Sequence, residues 1–152
     1  MKRILIFLVG SVLIFSCTDD KGKLLTSKTW ELTRVDGNFK DGTGGHDIDA
    51  FRDKSKYSKE DLHELYFFAD IWDGFDYRQE RGKTGNCVFN LDHSLTDNNG
   101  IFSQNGGLTW NLEKSTLTIE SHSIYLEKIN EKEMILSKKI SNLEFKYFFT
   151  GQ

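Results

Sequence analysis

The sequence predicts an all-β protein, an antiparallel up-and-down β-barrel of about eight strands with one short helix. Apolar and polar residues alternate through successive runs, as they do in strands that bury one face. Short polar segments separate these runs, which favours strands that pair with their chain neighbours. Closure into a barrel would then remove the exposed edges that such a sheet otherwise presents.

The first sixteen residues have the pattern of a secretory signal peptide. Lys2 and Arg3 form a basic head, and residues 4–15 are apolar apart from Gly10 and Ser11. As a helix this apolar segment reaches roughly 18 Å, which is short of the bilayer core of about 30 Å. We therefore predict that residues 1–16 direct export and are then removed.

Residues 14–17, Ile-Phe-Ser-Cys, resemble the lipobox of bacterial lipoproteins. The resemblance implies that Cys17 is lipidated, and acyl chains such as palmitate would then anchor the protein, because more than one chain gives stable membrane binding. An ordinary signal peptide with an incidental cysteine is the alternative. Residues 17–20, Cys-Thr-Asp-Asp, resemble the surface-export signal of Bacteroidetes-type lipoproteins. These segments predict a lipid-anchored protein of the bacterial cell envelope, held at the outer membrane, with exposure on the cell surface left open.

The barrel domain is predicted to span residues 27–152, after a lipidated flexible tether at residues 17–26. Most of its strands are indicated by apolar residues that share one face within a run: Trp30 and Leu32; Cys87, Phe89 and Leu91; Leu108, Trp110 and Leu112; Leu117 and Ile119; and Leu143, Phe145, Tyr147 and Phe149. Residues 124–129 and 134–140 flank a polar turn and predict a further hairpin.

The segment between the first two runs predicts a loop, a short helix and one more strand. Residues 36–57 are rich in glycine and aspartate, and they predict a loop long enough to have a function. Ser58 and Asp61 have the spacing of a helix start, so the short helix is predicted to begin there. Residues 66–72 are apolar apart from Asp70 and are interpreted as a central strand.

Residues 24–32, which contain Trp30, resemble the first strand of the small lipocalin-like domains of Bacteroidetes-type lipoproteins. Residues 107–119 and 124–136 resemble the middle and late hairpins of that family, and residues 145–149 resemble its closing strand. The resemblance implies an up-and-down barrel and the binding of a small hydrophobic molecule. Because a fold hosts many functions, the resemblance alone does not establish one.

Charge and motifs argue against several classes of function. The chain has 20 basic and 23 acidic residues, a net charge of −3, which gives no electrostatic reason to expect a nucleic-acid partner. It contains no Gly-x-Ser-x-Gly elbow, phosphate-binding loop or dinucleotide-binding motif. We therefore predict a protein that is not an enzyme and needs no cofactor. A pair of carboxylates for glycoside cleavage stays a third alternative, because acidic residues are plentiful on the strand faces.

No metal site is predicted. Two groups of aspartates, within residues 36–38 and 70–76, do not match the spacing of a calcium-binding loop. Cys87 has the same phase as Phe89 and is predicted to be a buried, inert thiol. The four histidines lack the spacing of a helical zinc pair: they are His46, His63, His93 and His122.

The aromatic residues leave two hypotheses for function. They either fill the core of a small barrel or line a cavity within it. A cavity would bind a small apolar or amphipathic ligand, which the polar tips of four aromatic residues would orient: Tyr66, Trp110, Tyr125 and Tyr147. The alternative is a filled barrel that acts as an interaction module and docks on an envelope protein or extracellular polymer through residues 36–57. The sequence leaves the identity of a protein partner unknown.

Overall fold

The computed structural model describes residues 20–38, 54–103, 107–141 and 143–152. Eight antiparallel strands form a closed barrel in which each strand lies beside its chain neighbour and the last pairs with the first. This confirms the predicted all-β, antiparallel up-and-down barrel. The strands are β1 (Thr29–Asn38), β2 (Gly85–Phe89), β3 (Ser94–Asn98), β4 (Leu108–Glu113), β5 (Thr116–Ile119), β6 (His122–Ile129), β7 (Glu133–Ile140) and β8 (Leu143–Gly151).

The inward face of the barrel follows the alternation in the sequence. In β8, Leu143, Phe145, Tyr147 and Phe149 are buried, and the residues between them are more exposed. Leu91, predicted to point inward with Phe89, is instead 85% exposed, because β2 ends at Phe89 and Leu91 lies in the following turn.

A helix stands where the sequence predicted a strand. Residues 66–72 lie within α2 (Lys59–Glu80), so the prediction of a central strand there was wrong. Leu65, Phe68 and Ile71 are all buried, and their spacing fits one face of a helix. A short apolar run does not distinguish the period of a helix from that of a strand, which is why the sequence was misleading here. The predicted helix start is confirmed, because the Ser58 hydroxyl accepts the Asp61 N–H at 3.0 Å.

The second part of the predicted tether is also structured. Asp20–Thr26 form helix α1, and its Leu25 side chain is fully buried. The indole N–H of Trp30 donates to the Leu25 carbonyl oxygen at 2.9 Å. Helix α1 is therefore packed on the barrel, because it contributes an apolar side chain to the core.

The two helices cover opposite ends of the barrel. In an up-and-down meander, odd strands run toward one end and even strands run toward the other. Helix α1 lies at the end where even strands finish, since Lys21 bonds Ser115 in the β4–β5 turn at 2.6 Å. Helix α2 lies at the other end, where it meets His122 at the start of β6 and the carbonyl of Asn99 just after β3.

The approach of α2 to β1 depends on one glycine. A Cβ atom on Gly37 would overlap the indole ring of Trp72, a residue of α2. The absence of a side chain at this position therefore lets the helix lie against the end of β1.

The predicted loop at residues 36–57 is described only in part. Its first three residues extend β1, Lys54–Lys56 form a 3-10 turn, and residues 39–53 lie outside the described residues.

None of the helices in the described ranges is long and apolar enough to cross a bilayer. The predicted signal peptide and Cys17 lie outside those ranges.

Candidate functional site

The four predicted ligand-binding residues do not converge on one place. Trp110 and Tyr147 point into the barrel and are 7% and 1% exposed. Tyr125 points outward from β6 between two buried neighbours and is 55% exposed. Tyr66 lies on α2 and is 42% exposed. Side chains alternate between the two faces of β6, which directs Tyr125 away from the interior. Tyr66 lies outside the barrel because residues 66–72 form a helix and not the predicted strand, and Tyr66 is on the exposed face of that helix.

The polar tips of the inward aromatic residues are bonded to the protein itself. The phenol of Tyr147 donates to the Phe68 carbonyl oxygen at 2.8 Å, and the indole N–H of Trp110 donates to the Asn90 carbonyl oxygen at 3.0 Å. Buried donors of this kind stabilise the fold when they are paired and are costly to leave unpaired. These two groups therefore hold the interior together instead of offering hydrogen bonds to a ligand.

The buried apolar side chains of the described residues form one continuous cluster. Phe68 of α2 packs against Phe145 and Tyr147 with ring centroids 6.4 and 6.1 Å apart. Toward the α1 end of the barrel, where β2 finishes, Phe89 meets Trp110 edge to face at 5.5 Å. Aromatic side chains from both the helix and the strands thus occupy the interior, as expected for a small barrel that side chains can fill.

An ion-pair cluster joins the first half of α2 to the barrel. One carboxylate oxygen of Glu64 lies 2.9 Å from Nδ1 of His122, and the other oxygen pairs with the ammonium group of Lys138. Lys138 also donates to the Ser123 carbonyl oxygen at 2.6 Å. Glu64 of α2 thus pairs with His122 of β6 and with Lys138 of β7, and the cluster ties the helix to these two strands.

Two side chains of α2 enclose the ring of His122. Phe67 stacks on it at 3.8 Å with the planes 7° apart, and His63 stacks at 4.6 Å. His63 and Phe67 are one helical turn apart, so both reach the same neighbour. Sequence reasoning missed this cluster because Glu64 and His122 are 58 positions apart, and no local spacing connects them.

Arg78 holds the last turn of α2 to the loop after β3. Its Nη1 donates to the carbonyl oxygens of Asn99 and Gly100 at 3.1 and 2.8 Å. The side chain is buried, with 6% exposed. Helix α2 is therefore attached to the barrel by polar contacts near both of its ends and by apolar packing between them.

The opposite face of α2 carries aromatic and acidic side chains. Tyr66, Asp70, Asp73 and Tyr77 are all exposed and follow one another at intervals of four, three and four residues. These intervals place the four side chains along one face of the helix, over about 16 Å. We call these four residues the outer stripe of α2.

Cations already contact both tyrosines of the outer stripe. The ammonium group of Lys54 lies 5.4 Å from the ring centroid of Tyr66, and the guanidinium of Arg81 lies 3.5 Å from that of Tyr77. A cation over the face of an aromatic ring is attracted by the negative charge of that face. The outer stripe thus combines two groups that favour positive charge, the tyrosine rings and the aspartates between them.

Within the described ranges, no three His, Cys, Asp or Glu side chains are grouped so that they could hold a metal ion.

The thiol of Cys87 is fully buried, which confirms its predicted inward phase. Burial raises the pKa of this thiol well above its ordinary value, and the nearby Asp97 carboxylate raises it further. The thiol is thus kept protonated, the form that reacts poorly.

We expect the folded protein to lose stability as the pH rises above about 9, where the thiol and phenol groups of an unfolded chain lose their protons. Burial raises the pKa of Tyr147 and of Cys87 well above their ordinary values, so the folded state retains these protons while the unfolded state releases them. Urea unfolding between pH 7 and pH 11 should show the decline. Tyr147→Phe should make the slope shallower, whereas Tyr125→Phe, which removes an exposed phenol, should leave it unchanged.

No protein-family model, curated protein or solved structure matches this chain.

Proposed function

We propose that this protein is a lipid-anchored lipoprotein of the bacterial cell envelope whose filled, lipocalin-like barrel is a non-enzymatic interaction module. In this proposal the outer stripe of α2 docks on a protein that presents basic side chains. The observation that carries the proposal is the placement of the two helices at opposite ends of the barrel. The end next to the predicted anchor is covered by α1, and the outer stripe lies on α2 at the other end.

The chain from Cys17 to α1 is short. Only Thr18 and Asp19 separate Cys17 from Asp20, the first residue of α1. Three residue steps reach at most about 11 Å, even when fully extended. A lipid on Cys17 would therefore hold the α1 end of the barrel close to the membrane. The outer stripe of α2 would then face away from the membrane, toward other molecules of the envelope.

The chemistry of the outer stripe favours a basic protein as its partner. Tyrosine is enriched at the centres of protein interfaces because it buries a large area at a small entropy cost. The carboxylates of Asp70 and Asp73 complement Lys and Arg, and such complementarity raises the association rate and the specificity. The contact between Arg81 and Tyr77 shows the same chemistry within this chain.

The arrangement of the interior favours this function over the binding of a small apolar ligand. The polar tips of Trp110 and Tyr147 are bonded to backbone carbonyl groups, and the four predicted ligand-binding residues are divided between the inside and the outside of the barrel. A small apolar or amphipathic ligand remains the alternative hypothesis. Native mass spectrometry of the purified protein tests it, because a bound molecule would add a defined mass that denaturation removes.

The anchor is tested by replacing Cys17 with alanine. We expect Cys17→Ala to abolish the acyl mass on the mature protein and to move the protein out of the membrane fraction. Metabolic labelling with an alkyne fatty acid, followed by mass spectrometry, measures the acylation, and cell fractionation measures the membrane association. Cys87→Ala is the matched control, because Cys87 is buried and is predicted to carry no lipid. Unchanged acylation in Cys17→Ala would contradict the lipoprotein proposal.

The docking surface is tested by photo-crosslinking in the native bacterium. A photoreactive phenylalanine derivative replaces Tyr66 or Tyr77 in turn, and Tyr125 is replaced as an exposed tyrosine outside the outer stripe. We expect the first two positions, and not the third, to crosslink to one protein through a segment rich in Lys and Arg. Binding of that segment as a synthetic peptide should weaken in Asp70→Asn/Asp73→Asn. Crosslinks to polysaccharide would favour a polymer partner, and equal crosslinking from position 125 would refute this docking surface.

A further inference from the structure

Arg78 is a buried cation with unused hydrogen-bond donors. Only 6% of the surface of Arg78 is exposed. Nε and Nη2 have no hydrogen-bond partner and are buried, and within the described part of the chain they are the only buried side-chain nitrogen or oxygen atoms in that state. Buried polar groups in native proteins are nearly always paired, so these two donors indicate a partner that is not among the described residues.

The two unpaired donors lie on the same edge of the guanidinium. Nη1 is occupied by the carbonyl oxygens of Asn99 and Gly100, which fix the orientation of the planar group. The remaining edge presents the Nε–H and one Nη2–H in parallel. This pair of donors matches the two oxygens of a carboxylate or a phosphate group, which arginine binds in a bidentate manner.

Asp97, the acidic residue whose charge acts on Arg78, does not occupy this edge. Both carboxylate oxygens of Asp97 accept backbone N–H groups, from Ile101 at 2.7 Å and from Phe102 and Ser103 at 2.7 and 3.0 Å. Burial lowers the pKa of Arg78, and the charge of Asp97 opposes this effect without a hydrogen bond to the guanidinium. Asp97 thus orders the loop after β3 and leaves the Nε and Nη2 edge of Arg78 available.

Gly85 packs closely against this edge at the mouth of the barrel, where even a methyl group would be crowded. A Cβ atom at Gly85 would lie 3.0 Å from Nε of Arg78 and 2.8 Å from Cγ1 of Ile101. Gly85 is the first residue of β2, and it is buried, as are Cys87 and Phe89 on the same face of that strand. The free edge of Arg78 therefore lies between α2 and the inner face of β2, above the apolar core.

We propose that Arg78 binds an oxyanion, a carboxylate or a phosphate group, through Nε and Nη2 at the α2 end of the barrel. The group belongs either to a small free anion or to the head of an amphipathic molecule. Because Nε and Nη2 are closed to solvent and Gly85 packs against them beside Ile101, the anion binds only if it displaces these immediate neighbours of the guanidinium. This site is independent of the docking proposed for the outer stripe.

The site is tested by titrating the purified full chain with three probes: inorganic phosphate, acetate and dodecanoate below its micelle concentration. We expect at least one probe to bind in calorimetry and to raise the thermal midpoint of unfolding. Arg78→Lys keeps the positive charge and loses the bidentate edge, so it should weaken that binding about tenfold or more. Binding of phosphate or acetate indicates a free anion, and binding of dodecanoate alone indicates an amphipathic head group.

Arg81→Lys is the matched control, because Arg81 lies three residues further on and its side chain is exposed. It should bind the probe as the parent protein does. Failure of all three probes to bind the folded parent protein would overturn the proposal, as would equal binding by Arg78→Lys. If Arg78→Lys does not fold, the Nε–H resonance of Arg78 in the parent protein decides: it should shift on addition of the probe, and an unchanged resonance at saturation would overturn the proposal.

Discussion

Replacing Trp30 with alanine is expected to lower the free energy of unfolding by about 3–5 kcal/mol, one of the two largest effects we predict for a single substitution. Trp30 is fully buried, and its indole N–H donates to the Leu25 carbonyl oxygen at 2.9 Å. The substitution removes a large apolar side chain and leaves the carbonyl oxygen of α1 without this donor. Urea unfolding followed by far-UV circular dichroism measures the loss.

Trp30→Phe separates the two contributions of this residue. It keeps most of the apolar volume and removes only the N–H, so we expect it to cost about 1 kcal/mol beyond the change in volume. Tyr125→Ala, which removes an exposed aromatic residue, should change stability by no more than about 0.5 kcal/mol. A loss in Trp30→Ala no larger than that of Tyr125→Ala would contradict the assigned role of α1 as part of the core.

Replacing Phe68 with alanine is the second large effect, again about 3–5 kcal/mol. Phe68 is 1% exposed and is the side chain of α2 that packs against the rings of Phe145 and Tyr147. Its loss leaves a cavity between the helix and the barrel, at a point where apolar contact holds the two together. Hydrogen exchange should show faster exchange of the α2 amides than of the strand amides, because the helix would detach before the barrel opens.

Two neighbouring substitutions make this result specific. Phe68→Leu keeps much of the buried volume and should cost less than Phe68→Ala. Tyr66→Ala removes an exposed ring two positions away on the same helix and should leave the exchange of the α2 amides near that of the parent protein. Equal effects of Phe68→Ala and Tyr66→Ala would show that the contact between Phe68 and the barrel does not hold α2 in place.

Local patterns predicted the barrel but misassigned its longest helix. Alternation in β8 marks a buried face over nine residues, and each residue of that strand adds to the same signal. Residues 66–72 are a shorter run, in which Phe68 and Ile71 are buried on one face of a helix. Because their sequence neighbours are also mostly apolar, the same run fits a central strand that is buried on both faces. The Ser58 cap identified where the helix begins, but its 22-residue length depends on contacts with the barrel end.

The candidate sites were far less predictable than the fold. Glu64, His122 and Lys138 meet only because α2 crosses the barrel end at which β6 begins and β7 finishes. No spacing in the sequence connects these three residues. The incorrect strand at residues 66–72 also concealed the outer stripe, because Tyr66 and Tyr77 share a face only in a helix.

By itself, the sequence determined the meander of alternating strands, the helix cap at Ser58 and the inward phase of Cys87, because these features depend on residues a few positions apart. Only the tertiary structure decided that α1 and α2 cover opposite ends, that the inward aromatic donors are bonded internally and that Arg78 presents a free edge beside Gly85. Barrel closure brings together groups that are distant in the chain, and the hydrogen bonds and packing available to each group depend on which neighbours it then meets.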